Sequence, residues 1–239
     1  MNNDMGYISL REVIPPIVIR QFKLWAMNPD NIHRGNAVNG TYYGKHRKGR
    51  EYNVWWSKSP PEEMWRPVID ILRTHIDAIF IGTKWDMHVV DTITTRPGSS
   101  KIRAHIDIPY RFEEYAYAPG DETLGVQIIV PLDIFTLQNG ATAFLPGSHA
   151  SKFYYKDIEE NQEEYDTLLT TEGMQFLSHP GDVLIYNSRT LHSTMPNKSN
   201  FYRSALLLNA VATSIIPTIK LIDKNTDHKK TWQIDEYMF

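Results

Sequence analysis

The chain has 239 residues, 41% hydrophobic and 22% charged, with a net charge of −3. That length fits one domain with a substantial core, and the weak acidity argues against a nucleic-acid partner bound through a basic surface. With no cysteine, disulfides, thiolate zinc sites, iron–sulfur clusters and a cysteine nucleophile are excluded; with no long apolar run, no membrane partner is expected and a cytoplasmic protein is the default.

Residues 9–28 read as an extended segment followed by a helix, with Pro15 and Pro16 at the helix start. Residues 31–60 read as a long polar and aromatic loop of the kind that forms lids. Its Tyr42–Arg50 stretch is basic, and Tyr52, Trp55 and Trp56 follow. Ser59-Pro60-Pro61-Glu62-Glu63 predicts a helix N-terminus, and the helix runs to about Phe80 with Trp65, Val68, Ile69, Leu72 and Ile76 on one face.

From residue 86 the period changes to that of strands. The runs are MHVVDTITT, KIRAHIDIPY, LGVQIIVPLDIF, ATAFLPG, MQFLSH, GDVLIYN and FYRSALLLNAVAT, separated by Gly, Pro, Asn and Asp. Residues 151–172 interrupt them with an acidic, helix-compatible insertion. Helices followed by strands predict an α+β protein whose strands form a sandwich or barrel. We divide the expected single domain, 1–239, into a mainly helical and lid region (1–85), a strand core (86–212) and a tail (213–239).

His105 and Asp107 lie two apart in an expected strand, so alternation places both side chains on one face. Two imidazoles and a carboxylate are the ligand set of a mononuclear Fe(II) site, and His192 can complete it. In a chain with nine histidines a His-x-Asp arises easily by chance, and alone it reads as readily as a surface pair. Arg203 follows His192 by eleven residues at the start of a strand, with Ala205, Leu207 and Asn209 on its face. A guanidinium there suits a carboxylate ligand.

His105-Ile-Asp107, Gly140-Ala-Thr-Ala-Phe-Leu-Pro-Gly-Ser-His149, Pro180-Gly-Asp-Val-Leu-Ile185, and His192 with Arg203 together resemble the phytanoyl-CoA dioxygenase (PhyH) family of Fe(II)/2-oxoglutarate oxygenases, over roughly residues 86–212. The resemblance implies a double-stranded β-helix, or jelly roll, with N-terminal helices packed on it. It implies His105, Asp107 and His192 as iron ligands, Arg203 as the partner of the 2-oxoglutarate C5 carboxylate, and Fe(II), 2-oxoglutarate and O₂ as cofactor and co-substrates. It also implies hydroxylation rather than chlorination, since halogenases of this superfamily have a small residue at the Asp107 position.

One position departs from the common pattern. Many such oxygenases carry a hydroxyl two residues after the arginine, where this chain has Ala205. Thr94, Tyr110 and Thr142 are the candidates to replace it. Gln127, polar within an apolar run, reads equally as a site-lining group and as an amide satisfied by backbone. His149 reads as a loop brace. Lys58, Arg96 and Arg103, with the basic loop, suggest a small-molecule substrate bearing a carboxylate or phosphate. A cupin-like metal-dependent isomerase and a non-enzymatic ligand-binding jelly roll are the alternatives.

Overall fold

The structure is a computed structural model and describes residues 5–34, 42–45, 51–112, 115, 123–151 and 153–219. The strands are β1 (Tyr7–Leu10), β2 (Ile32–Arg34), β3 (Tyr42–Lys45), β4 (Glu51–Ser57), β5 (Trp85–Thr95), β6 (Gly125–Pro131), β7 (Thr142–Phe144), β8 (Met174–Gln175), β9 (Val183–Asn187), β10 (His192–Thr194) and β11 (Arg203–Ala212). The helices are α1 (Pro16–Met27), α2 (Glu62–Phe80), α3 (Tyr155–Glu160) and α4 (Gln162–Glu172).

Eight strands form one sheet in the order β1-β9-β6-β11-β5-β4-β2, with β3 also on β4; β10-β7-β8 form a second. Each pairing is antiparallel. The long strand β11 is central because LLLNAVA can bury both faces. Its even residues Leu206 and Leu208 join Val126, Ile128, Val130, Val183 and Ile185 in a core with Phe22 of α1 and Leu72 and Ile76 of α2. On the opposite face, Ala205, Ile129, Leu184, Tyr186, Ile93, Val54 and Trp56 meet Phe144 and Phe176 across the second sheet. Ile158 of α3 and Leu169 of α4 belong to the first core, as does Ala143, whose neighbours Thr142 and Phe144 point to the other side of β7.

The expected helix at the second site starts and ends as read, Glu62–Phe80, and the 151–172 insertion forms α3 and α4. Three expectations need correction. The sheet does not start at residue 86: β1 pairs with β9 and β4 pairs with β5, so strands of the helix and lid region join it. The 31–60 loop contains β2, β3 and β4, and Trp56 is buried in the sheet core; residues 35–41 and 46–50, including most of the basic stretch, lie outside the described residues. KIRAHIDIPY is not a ladder strand and pairs at a single bridge, His105 with His192. Of the expected tail, Ile215 and Ile219 are buried in the helix-side core, and residues 220–239 lie outside the description. No helix among the described residues is long and apolar enough to cross a membrane.

Candidate metal centre

The segment around residue 105 is held by backbone bonds rather than by a sheet. The Ile102 amide donates to Thr194 O at 3.0 Å, and the Asp107 amide to Ser188 O at 2.8 Å. Between them the amides of His105 and His192 each donate to the other's carbonyl at 3.0 Å. This irregular strand still places His105 and Asp107 on one side, as alternation predicts.

One ligand atom from each of His105, Asp107 and His192 lies within 4.8 Å of the others, and no other such trio converges among the described residues. Asp107 Oδ2 is 3.3 Å from His192 Nε2, and Oδ1 is 3.8 Å from His105 Nε2. The Nδ1 atoms face backbone carbonyls: His105 faces Arg103 O at 2.8 Å and His192 faces Thr190 O at 2.9 Å. A carbonyl accepts only, so each Nδ1 carries the proton and each Nε2 presents a lone pair to the centre. Burial lowers the His105 pKa to about 4, helped by the charge of His192 and opposed by Asp107, so its ring is neutral at neutral pH. Asp107 Oδ2 is buried with no hydrogen-bond partner. Two imidazole lone pairs and an orphaned carboxylate oxygen around one point fit a divalent cation, and the N₂O donor set fits Fe(II).

Arg203 lies deeper in the same sheet interior, 1% exposed. Its Nη2 donates to Gly140 O at 2.8 Å, and its guanidinium carbon sits 4.5 Å from the centroid of the Phe135 ring. Its Nε is buried without a partner, and no carboxylate pairs with it among the described residues. Burial pulls its pKa down to about 10, against an opposing pull from Asp133, and it remains charged. A buried cation with unused donors fits an incoming carboxylate such as that of 2-oxoglutarate.

The remaining candidates divide by strand face. Gln127 is 8% exposed on the inner face of β6, and among the described residues its amide has no hydrogen-bond partner. Thr142, also buried, shares the Phe144 side of β7. Thr94 is on the wrong face: it pairs in register with Ser204, and its hydroxyl meets the Ser204 hydroxyl at 2.9 Å on the side of α1, where Lys23 Nζ also reaches Ser204 at 3.1 Å. Tyr110 is engaged elsewhere: its hydroxyl accepts the Leu124 amide at 2.9 Å and its ring belongs to the helix-side core. Neither is brought to Arg203. His149 packs on Gly6, where a Cβ would lie 2.2 Å from its ring. Arg96 is half-buried, and Lys58 is exposed.

Sequence reasoning missed Tyr186. Its ring is fully buried, 5.0 Å from the His192 ring centroid, and its phenol is pushed well above its usual pKa by burial and by Asp107. The signal was available, since Tyr186 alternates in phase with Leu184 on a strand six residues before His192. Asn209 was missed as a brace: its Nδ2 reaches Ser188 Oγ at 3.1 Å and Ile108 O at 3.3 Å, holding both chains that flank Asp107.

Known proteins share this arrangement of chain. A probable alpha-ketoglutarate-dependent hypophosphite dioxygenase of Stutzerimonas stutzeri is 27% identical over 161 residues, which is 64% of this chain and 52% of that one. Dioxygenase cdmA of Talaromyces verruculosus is 28% identical over 207 residues, 84% of this chain and 62% of that one. The chain thus spans between half and two thirds of these relatives' lengths. Among solved structures, HygX from Streptomyces hygroscopicus, with nickel and 2-oxoglutarate bound, superposes with a TM-score of 0.64 at 13% identity, over 88% of this chain and 84% of that one. The alpha ketoglutarate dependent epimerase SnoN from nogalamycin biosynthesis gives 0.64 at 14% identity, over 87% and 77%. The sequence pattern of one family matches residues 4–205, taking in the N-terminal strand and helices as well as the strand core, and the chain belongs to the phytanoyl-CoA dioxygenase (PhyH) family.

Proposed function

We propose that the protein is an Fe(II)- and 2-oxoglutarate-dependent dioxygenase that hydroxylates a small molecule, built as one domain on a double-stranded β-helix. The carrying observation is the convergence of His105 Nε2, His192 Nε2 and the unpartnered Asp107 Oδ2 in the same interior as an unpaired Arg203. Family membership and the metal- and 2-oxoglutarate-bound fold neighbours support the same reading. When bound, iron and 2-oxoglutarate supply O₂ activation coupled to decarboxylation, with succinate and CO₂ released and one oxygen atom inserted into a C–H bond.

In this reading His105, Asp107 and His192 would hold the metal through two imidazole nitrogens and a carboxylate oxygen. Arg203 receives the far carboxylate of 2-oxoglutarate through its unused donors. Thr142, on the inner side of β7 near the Gly140 carbonyl that fixes Arg203, takes the place of the hydroxyl absent at Ala205. Gln127 lines the same interior. A metal-dependent isomerase or a non-catalytic jelly roll would leave the buried Arg203 charge without a ligand.

The hypophosphite dioxygenase relative acts, by its name, on a small oxyanion, which favours a small-molecule substrate here. Anaerobic addition of Fe(II) with and without 2-oxoglutarate tests the reading. A visible charge-transfer absorbance that needs both, and succinate release on admitting air, are expected. Absence of the absorbance together with no stabilisation by 2-oxoglutarate would overturn it.

A further inference from the structure

Among the described residues three arginines are less than a tenth exposed: Arg103 at 6%, Arg189 at 8% and Arg203 at 1%. Arg103 faces Glu159 at 3.8 Å, and Arg203 faces the co-substrate in the reading above. Arg189 has no acidic partner among the described residues. Its guanidinium carbon lies 4.3 Å from the centroid of the Tyr110 ring, and Nη2 makes one long bond, 3.5 Å, to Tyr115 O. A guanidinium has five N–H donors, and among the described residues this one uses only Nη2, in that single long bond.

Its place in the chain ties it to the metal centre. It sits in the turn between β9 and β10. The residue before it, Ser188, takes the Asp107 amide on its carbonyl at 2.8 Å; the residue after it, Thr190, fixes His192 Nδ1 at 2.9 Å. The Tyr110 ring beneath it belongs to a residue whose own amide donates to Asp107 O at 3.0 Å. Arg189 is therefore braced between two of the three ligands by backbone bonds. Charge counting adds a second argument. The charges of Fe(II) and Arg203 are balanced by Asp107 and the two carboxylates of 2-oxoglutarate, and Arg103 has Glu159. Among the described residues Arg189 has no counter-charge.

We propose that Arg189 is a substrate anchor, holding an anionic group, a carboxylate or a phosphorus oxyanion, beside the metal centre. The proposal rests on the oxygenase reading for the identity of that centre. The Tyr110 ring, 4.3 Å from the guanidinium carbon, favours this flat delocalised cation in a way an ammonium could not match.

The test uses the full chain loaded with Ni(II) and 2-oxoglutarate, titrated by calorimetry with acetate and separately with phosphite, at constant ionic strength. Saturable binding of at least one anion is expected, and the two arms tell carboxylate from phosphorus oxyanion. Arg189→Gln should weaken it about tenfold or more, Arg189→Lys less, with 2-oxoglutarate affinity unchanged in both. Two outcomes overturn the proposal: neither anion binds the wild-type chain, or Arg189→Gln binds as well as wild type. Loss of 2-oxoglutarate binding in a folded Arg189→Lys also overturns it, since the residue would then serve the co-substrate. Repeating the titrations without 2-oxoglutarate separates the two readings, because anion binding that depends on Arg189 persists even if the co-substrate does not bind.

Discussion

His105 and His192 form a two-way backbone bridge: the amide of each donates to the carbonyl of the other at 3.0 Å, and their rings lie 4.2 Å apart between centroids. The bridge joins an irregular segment to the edge of the smaller sheet. Ring separation is thus set by backbone geometry, and each ring is oriented by its Nδ1 bond to a carbonyl two residues earlier. Both rings are thus held in place by bonds within the protein alone.

Replacing Asp107 by Ala should separate metal affinity from folding. The carboxylate makes no hydrogen bond through Oδ2, so the metal-free variant should melt within a few degrees of wild type. Stabilisation by Ni(II) in a thermal-shift titration should be lost, with metal binding weakened at least about 100-fold. A variant that still gains stability from the metal would remove Asp107 from the ligand set.

Arg203→Lys should weaken 2-oxoglutarate binding by about 30-fold or more while leaving metal affinity intact, because an ammonium cannot give two parallel bonds to a carboxylate. Gly140→Ala should have a different signature. Gly140 has φ +77°, and its Cβ would lie 2.2 Å from Met195 O, so a stability loss of about 2 kcal/mol or more is expected together with weakened 2-oxoglutarate binding through the displaced carbonyl partner of Arg203. Calorimetric titration and thermal melts distinguish the two.

Tyr186→Phe keeps the ring against His192 and removes only the hydroxyl, whose ionisation burial and Asp107 oppose. Stability should therefore change by less than about 0.5 kcal/mol or rise slightly. Tyr186→Ala opens a cavity between Phe144 and His192 and should cost about 3–5 kcal/mol. A large loss in the Phe variant would reveal a hydrogen bond that this geometry lacks.

The metal-free protein should lose stability as pH falls. The His105 pKa is about 4 folded and near 6.5 unfolded. Between those values the unfolded chain binds the proton and the folded one does not, so the stabilising contribution is full above about 6.5 and fades toward about 4. Melting metal-free wild type across this window should give a slope that His105→Gln reduces. An equal slope in both would assign the effect to other groups.

Much of this was legible in the chain itself. The helix over 62–80 carries its apolar face in its spacing, and strand alternation correctly set Arg203, Ala205 and Leu207 on one side with Ser204 on the other. Residue types also set the donor chemistry: two imidazoles, a carboxylate and a guanidinium define what could be bound wherever they met. What alternation cannot supply is which face of a neighbouring strand turns inward. Register decides that, and a shift of one residue exchanges the faces; this is why Thr94 lies behind the sheet with Ser204 while Thr95 pairs with Arg203. Tertiary structure alone decided the rest. It brought His192 beside residues some eighty-five positions earlier, recruited β1 and β4 into the sheet from a stretch that reads as helix and loop, and left Arg189 with little exposure and no acid against it among the described residues. Each depends on contacts between distant segments, whose free energy comes from burial and backbone pairing that no local pattern records.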